Sequence, residues 1–256
     1  MQTDSIKIPA VPSKHGFLSR DGLKNPPADK PPPSQGIPLR ITILQRGFTL
    51  VELAIVMFIV ALLLGGMLLP LSAQQDIRSQ GETQKQLADI SEALLGFAAS
   101  HTAGDGKPYL PCPDTTGDGV EDRTGNVCTN QDGNLPWSNL GIGRQDAWNN
   151  AFHYQVTAAF SNSATGFVLT SSGDMRVCDT ATCTGSILAT NVPVIILSRG
   201  KNGAATPTDA DELENLDADT DFVQHSTAGN GGFDDIVTWL SPNIIVNRMI
   251  SAGRLP

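Results

Sequence analysis

Between Phe48 and Leu69 the chain carries one charge, Glu52, in a run that is otherwise apolar or weakly polar. About 20 such residues are enough to cross a bilayer as a helix. A helix satisfies its own backbone groups, so the stretch from 48 to 71 is predicted to live in lipid. Glu52 is the exception to its surroundings. A carboxylate inside a membrane helix costs about 2.5–3.5 kcal/mol on insertion scales, so it marks a function and calls for a cationic partner. The plain alternative is a signal anchor with an incidental glutamate, and that cost argues against it.

Charge is divided on either side of this run. Residues 1–47 hold seven Lys/Arg and three Asp, a net +4; the remainder holds ten Lys/Arg against 23 acidic residues, a net −13, which together give −9. Basic residues ahead of a membrane helix keep that end in the cytoplasm, so the C-terminal part is expected to be exported, with the inner membrane as the chain's first location. An acidic exported domain has no electrostatic claim on nucleic acid, because phosphate binding needs clustered Lys/Arg.

Residues 1–45 are rich in proline and lysine (Pro26-Pro27, Pro31-Pro32-Pro33) and have almost no periodic apolar positions. Such a stretch buries too little surface to fold, and reads as a cytoplasmic leader over 1–47 that processing removes. Beyond the membrane segment, Ile77, Leu87, Ile90, Leu94, Leu95 and Phe97 recur at helical spacing among Gln, Asp, Glu and Lys. One helix from about Thr49 to Ser100 is therefore predicted, about 75–80 Å long at 1.5 Å per residue. Its half over 48–71 would span the membrane, and its amphipathic half over 72–100 would pack on a head. Gly81 is its soft point. After His101, clusters of Gly, Pro, Asn and Asp punctuate short apolar runs such as Val192–Leu197, which read as strands of a β-rich periplasmic head over 101–256. The tail from Ser241 to Pro256 is expected to form a short closing helix or an added strand.

The hexapeptide Gly47-Phe48-Thr49-Leu50-Val51-Glu52, preceded by Arg46, resembles the processing site of type IV prepilins and of the pseudopilins of type II secretion. That resemblance implies cleavage by prepilin peptidase between Gly47 and Phe48, N-methylation of Phe48, and pairing of Glu52 with the new amine as subunits assemble. Leaders in that family are often shorter than 47 residues, so either the true start is downstream or the extension has its own role. Such helices commonly carry a proline near the distance of Pro70 from the cleavage point. The segment Asp146–Tyr154 resembles a Trp-turn-strand segment of major pseudopilins, with Asn149 where glycine is usual; asparagine tolerates positive φ. Ser198–Gly203, Asn215-Leu216-Asp217 and Asp234–Val237 are similar to pseudopilin segments as well. The fold implied is α+β and pilin-like: a long N-terminal helix packed on an antiparallel β-sheet head, whose partners are other pilin or pseudopilin subunits.

The four cysteines, Cys112, Cys128, Cys178 and Cys183, all follow the membrane segment. An even number in an oxidising compartment points to disulfides, with three connectivities open and nearest-neighbour pairing favoured. A zinc site would use Cys-x-x-Cys pairs, which the chain lacks.

Calcium is the one cofactor the residues suggest. Asp114, Thr116, Asp118 and Asp122, with Gly119 between them, follow the opening half of an EF-hand loop, but Gly125 stands where its bidentate glutamate is due. A run of Asp-Gly turns reads the same residues without a metal. The second acidic cluster runs from Asp209 to Asp221. The family resemblance places a calcium site in the C-terminal loop, making Asp217 and Asp219 the candidates there; a solvated acidic loop is the alternative. Ser198-Arg199-Gly200-Lys201 matches Ser-x-x-Lys of penicillin-binding enzymes, but its partner motifs are absent and glycine flanks it, so it reads as a turn. No catalytic constellation emerges, and the chain is not expected to be an enzyme. Two functional classes remain: a structural subunit, minor by the size of its head, of a pilus or secretion pseudopilus; and a signal-anchored periplasmic protein or hydrolase that uses calcium.

Overall fold

A computed structural model describes residues 47–226 and 232–256, with the side chains of 66–71 left out. The expected leader, apart from Gly47, thus lies outside the described residues. The chain divides into two compact units, residues 1–53 and 54–256.

In the first unit, residues 47–49 lead into α1 (Leu50–Ser100). Thr49 caps it. The Thr49 Oγ1 accepts the Glu52 N–H at 3.2 Å, while Glu52 Oε2 accepts the Thr49 N–H at 2.9 Å and its hydroxyl at 3.0 Å. This reciprocal arrangement is a capping box, which satisfies two donors that a helix start would otherwise leave unpaired.

In the second unit the helix continues through position 70 to Ser100. Its last turns present Leu87, Ile90, Leu94, Leu95 and Ala98 to the core at helical spacing, while Glu82, Lys85, Asp89 and Glu92 stay exposed. The strands that follow are β1 (Arg123–Thr124), β2 (Val127–Cys128), β3 (Asp132–Asn134), β4 (His153–Val156), β5 (Met175–Cys178), β6 (Ile187–Val192), β7 (Val194–Ser198), β8 (Asp221–Val223) and β9 (Ile236–Leu240). Short helices α2 (Trp137–Leu140), α3 (Ala158–Ser161) and α4 (Ala210–Glu214) lie between them, and α5 (Pro242–Ser251) closes the chain.

A four-stranded sheet has the order β3-β4-β7-β9, antiparallel throughout. A second sheet, β6-β5-β8, pairs β5 with β6 antiparallel but β5 with β8 in parallel, so the head is not uniformly antiparallel as expected. The parallel pairing brings together residues more than 40 positions apart, a distance at which no local pattern reports it.

Strand β7 holds the layers together. All five of its residues are buried. Its side chains alternate between faces: Val194 and Ile196 join Tyr154, Leu94 and Met249 in the cluster under α1, whereas Ile195 and Leu197 join Met175, Val177 and Phe222 of the second sheet. Helix, sheet and sheet therefore stack as three layers. The tail forms a helix rather than a strand. Pro242 opens α5, the Ser241 hydroxyl oxygen accepts the Ile244 N–H, and Ile245 and Met249 complete the cluster beneath α1.

Cys112 is bonded to Cys128 and Cys178 to Cys183, the nearest-neighbour connectivity. Asn149 turns at φ 69°, as its place in the Trp-turn-strand segment requires. Asp146 fixes that turn by accepting the N–H groups of Trp148 and Asn150, and the Ser198 hydroxyl donates to it at 2.6 Å. The same loop donates the Ala147 N–H to Thr83 on α1. Ser198 is thus a structural hydroxyl, and Lys201 bonds Asp76 on α1 at 2.8 Å.

Candidate functional site

Two regions carry functional signal, and they are built differently. The first is the mouth of α1. Gly47 and Phe48 precede the helix, both exposed, and a Cβ added at Gly47 would meet nothing within 4 Å. Gly47, the expected cleavage position, therefore stands in open space ahead of the helix. From Leu50 to Leu64 the large apolar side chains are exposed one after another, Phe48 and Leu50 among the most exposed of all. Contiguous apolar surface on this scale marks contact with lipid or protein. Among the described residues no helix is long and apolar enough to cross a membrane; the side chains of 66–71, which complete the run in the sequence, lie outside that description. Glu52, expected to await a cationic partner, is engaged by the Thr49 cap. The Thr-x-x-Glu spacing of a capping box stands in the sequence at 49–52 and went unused in the sequence reading.

The second region is acidic. Asp114, Asp118 and Asp122 do not gather into a three-carboxylate group among the described residues. Asp114, nearly fully buried, accepts the N–H groups of Thr116, Gly117 and Gly119 at 3.0, 2.6 and 2.8 Å. Asp122 accepts from the Thr115 hydroxyl and from the N–H groups of Thr115 and Thr116, and these bonds, the Thr115 hydroxyl first, hold its carboxyl below the usual range. Asp118 accepts the Val120 N–H. These carboxylates tie the loop to its own backbone. Gly119 is required at φ 87°, because a Cβ there would meet the Trp137 ring at 2.3 Å. Turn chemistry accounts for this segment.

In the later cluster Asp219 converges with Glu214 and Asp221, not with Asp217. Asp217 accepts the Asp219 N–H, and Asp221 is paired with Arg176. Burial, then neighbouring carboxylates, raise the Glu214 carboxyl; burial leads the rise at Asp219 too.

A third acidic group, Glu212, Asp234 and Asp235, was not anticipated as a site, and it is the more enclosed. Glu212 comes from α4, which Asp209 caps by accepting the Asp211 N–H; Asp234 and Asp235 stand just before β9. Candidate ligand atoms of all three lie within 4.8 Å of one another. Glu212 accepts from the Asn202 amide at 3.0 Å and from the Asp234 N–H at 3.0 Å, and Asp235 accepts from the Asn215 amide at 2.9 Å. Asp234 Oδ2 accepts the Lys201 and Asn202 N–H groups, and its Oδ1 is buried with no partner. Burial pushes the Asp235 carboxyl up to about 7, with Glu212 and Asp234 adding to the rise. A cavity of about 10 Å³ adjoins Asn202, Glu212 and Asp235, room for about one water-sized occupant. Hard oxygens of this kind bind calcium; Arg199 also lines that cavity, and Asp234 is not part of its wall. The signal in the sequence was Asp234-Asp235 immediately ahead of a buried apolar strand, where carboxylates lose water. Its partner Glu212 is 22 residues away, so the pairing itself was not legible.

No curated protein and no solved structure matches the chain. Residues 44–68 match the prokaryotic N-terminal methylation motif. The chain therefore carries the prepilin-type cleavage and methylation segment of type IV pilins and pseudopilins.

Proposed function

We propose that this chain is a structural subunit of a type IV pilus or a type II secretion pseudopilus. Prepilin peptidase cuts between Gly47 and Phe48, and the subunit enters the fibre from the inner membrane by its N-terminal helix, head in the periplasm. The observation that carries this reading is the methylation motif over 44–68, set at the mouth of a helix that is apolar first and amphipathic afterwards. Glu52 docks against the Phe48 amine, its own or a neighbour's. Before cleavage the Thr49 cap donates twice to its Oε2, so the carboxylate is not left bare in the precursor. After cleavage the amine offers a charge-assisted partner, stronger than a neutral hydroxyl.

Two substitutions test the reading. Gly47→Glu blocks cleavage and leaves the precursor mass unchanged; a shift to the mature mass would refute the assigned bond. Glu52→Ala is still cut but enters fibres poorly; normal incorporation of this variant would end the docking account. The choice between pilus and pseudopilus turns on neighbouring genes, a secretin and secretion ATPase marking the second. A second property is proposed for the head: calcium held by Glu212, Asp234 and Asp235, favoured by the buried Asp234 Oδ1, which has no partner among the described residues.

A further inference from the structure

Eight Lys/Arg side chains lie from residue 101 onward. Six are partnered: Lys107 with Asp105, Arg123 with Glu121, Arg176 with Asp221, Lys201 with Asp76, Arg248 with Glu92, and Arg254 with the His101 carbonyl and the Thr102 hydroxyl. The Arg144 and Arg199 side chains make no hydrogen bond or ion pair among the described residues. Asp235 feels the charge of Arg199 without touching it. Both arginines line one open groove of about 560 Å³, together with Asn149, Thr206, Pro207 and Leu216.

The same head carries an unneutralised excess of the opposite sign. In the loop from Asp217 to Asp221 only Asp221 has a basic partner among the described residues, Arg176. Asp217 and Asp219 are exposed, and among the described residues their carboxylates accept the N–H groups of Asp219 and Asp221. The loop begins next to Leu216, a wall of the groove.

We infer that the Arg144/Arg199 groove of one copy receives the Asp217–Asp221 loop of a second copy. Each guanidinium is a planar fork of donors matched to a carboxylate. Groove and loop are different surfaces, so the contact is heterologous, and a third copy can use the loop left free. Such a contact builds an open helical filament where its rotation does not close a ring. The inference takes its setting from the proposed assembly, while the contact itself is tested without cleavage or fibre formation.

The full chain is purified in detergent with benzoylphenylalanine in place of Thr206, irradiated at low and high salt, and the cross-linked peptides are sequenced by mass spectrometry. The expected product joins position 206 to the peptide containing 217–221, and it fades at high salt because exposed charges are screened. Arg144→Glu/Arg199→Glu and Asp217→Lys/Asp219→Lys each set like charges face to face, and each alone lowers the yield by about tenfold or more. An equimolar mixture restores it when the photo-probe sits in the lysine variant, whose native groove meets the native loop of the other copy. The recovered peptide then carries Asp217 and Asp219, which proves that two chains are joined. Thermal melting of each variant verifies that the head is folded. A cross-link to another segment, insensitivity to either pair of substitutions, or a mixture that stays uncoupled would each overturn the inference. The mass of the N-terminus, measured separately, decides whether the processing account stands regardless.

Discussion

At Asp235 the cost of burying a charge outweighs the help of its hydrogen bond. The carboxyl is raised from 3.8 to about 7, chiefly by desolvation. Between those values the folded, metal-free chain holds a proton that the unfolded chain has released. Stability therefore falls as pH rises through that window and levels off above it. In a chelator, Asp235→Asn should flatten this slope, which thermal melts across the window would show; an unchanged slope would mean that another group sets it. Calcium at the proposed site should reverse the balance above the window, where the free carboxylates repel one another. At a hundredfold excess over Kd a bound ion adds about 2.7 kcal/mol, and at about 2–4 °C per kcal/mol for a domain this size the Tm should rise by roughly 5–10 °C. Glu212→Gln should lose that rise, whereas Asp118→Asn should keep it, because Asp118 holds only its own turn. The contrast between these acidic groups is instructive. An EF-hand-like pattern at 114–122 reported oxygen atoms at the right spacing but not where they point, and backbone N–H groups claimed them.

The elements differ in how openly the sequence announces them. Helix α1 was legible from end to end, because both its apolar half and its amphipathic half state their period locally. The run Val192–Leu197 was legible as strand, though the structure divides it at Pro193 between β6 and β7. Strands β1, β2, β3 and β8 are two or three residues long and exist through pairing rather than propensity, so no local pattern marks them. The packing of α1 rests on few side chains. Leu94 is fully buried against the sheet, and Leu94→Ala should cost about 2–5 kcal/mol through lost burial and a residual cavity. Urea unfolding should show a lower midpoint with the slope unchanged. A cost below ~1 kcal/mol would mean that α1 is not seated on the head as described.

Across the whole molecule, charge, cysteines and apolar length tell one story. A basic stretch before Gly47, an apolar helix start and an acidic head closed by two disulfides agree with the export and assembly proposed above. The layered head was only partly legible, since the partnership of β5 with β8 and of Glu212 with Asp234 joins distant positions. The central claim concerns the opposite end of the chain, where the match to the methylation motif is local and the chemistry specific. It is tested most directly by the mass of the N-terminal peptide of the protein taken from its native membrane. The account predicts a chain that starts at Phe48 and carries one added methyl group on its amine. A chain that keeps Gly47 joined to an unmodified Phe48 would contradict it.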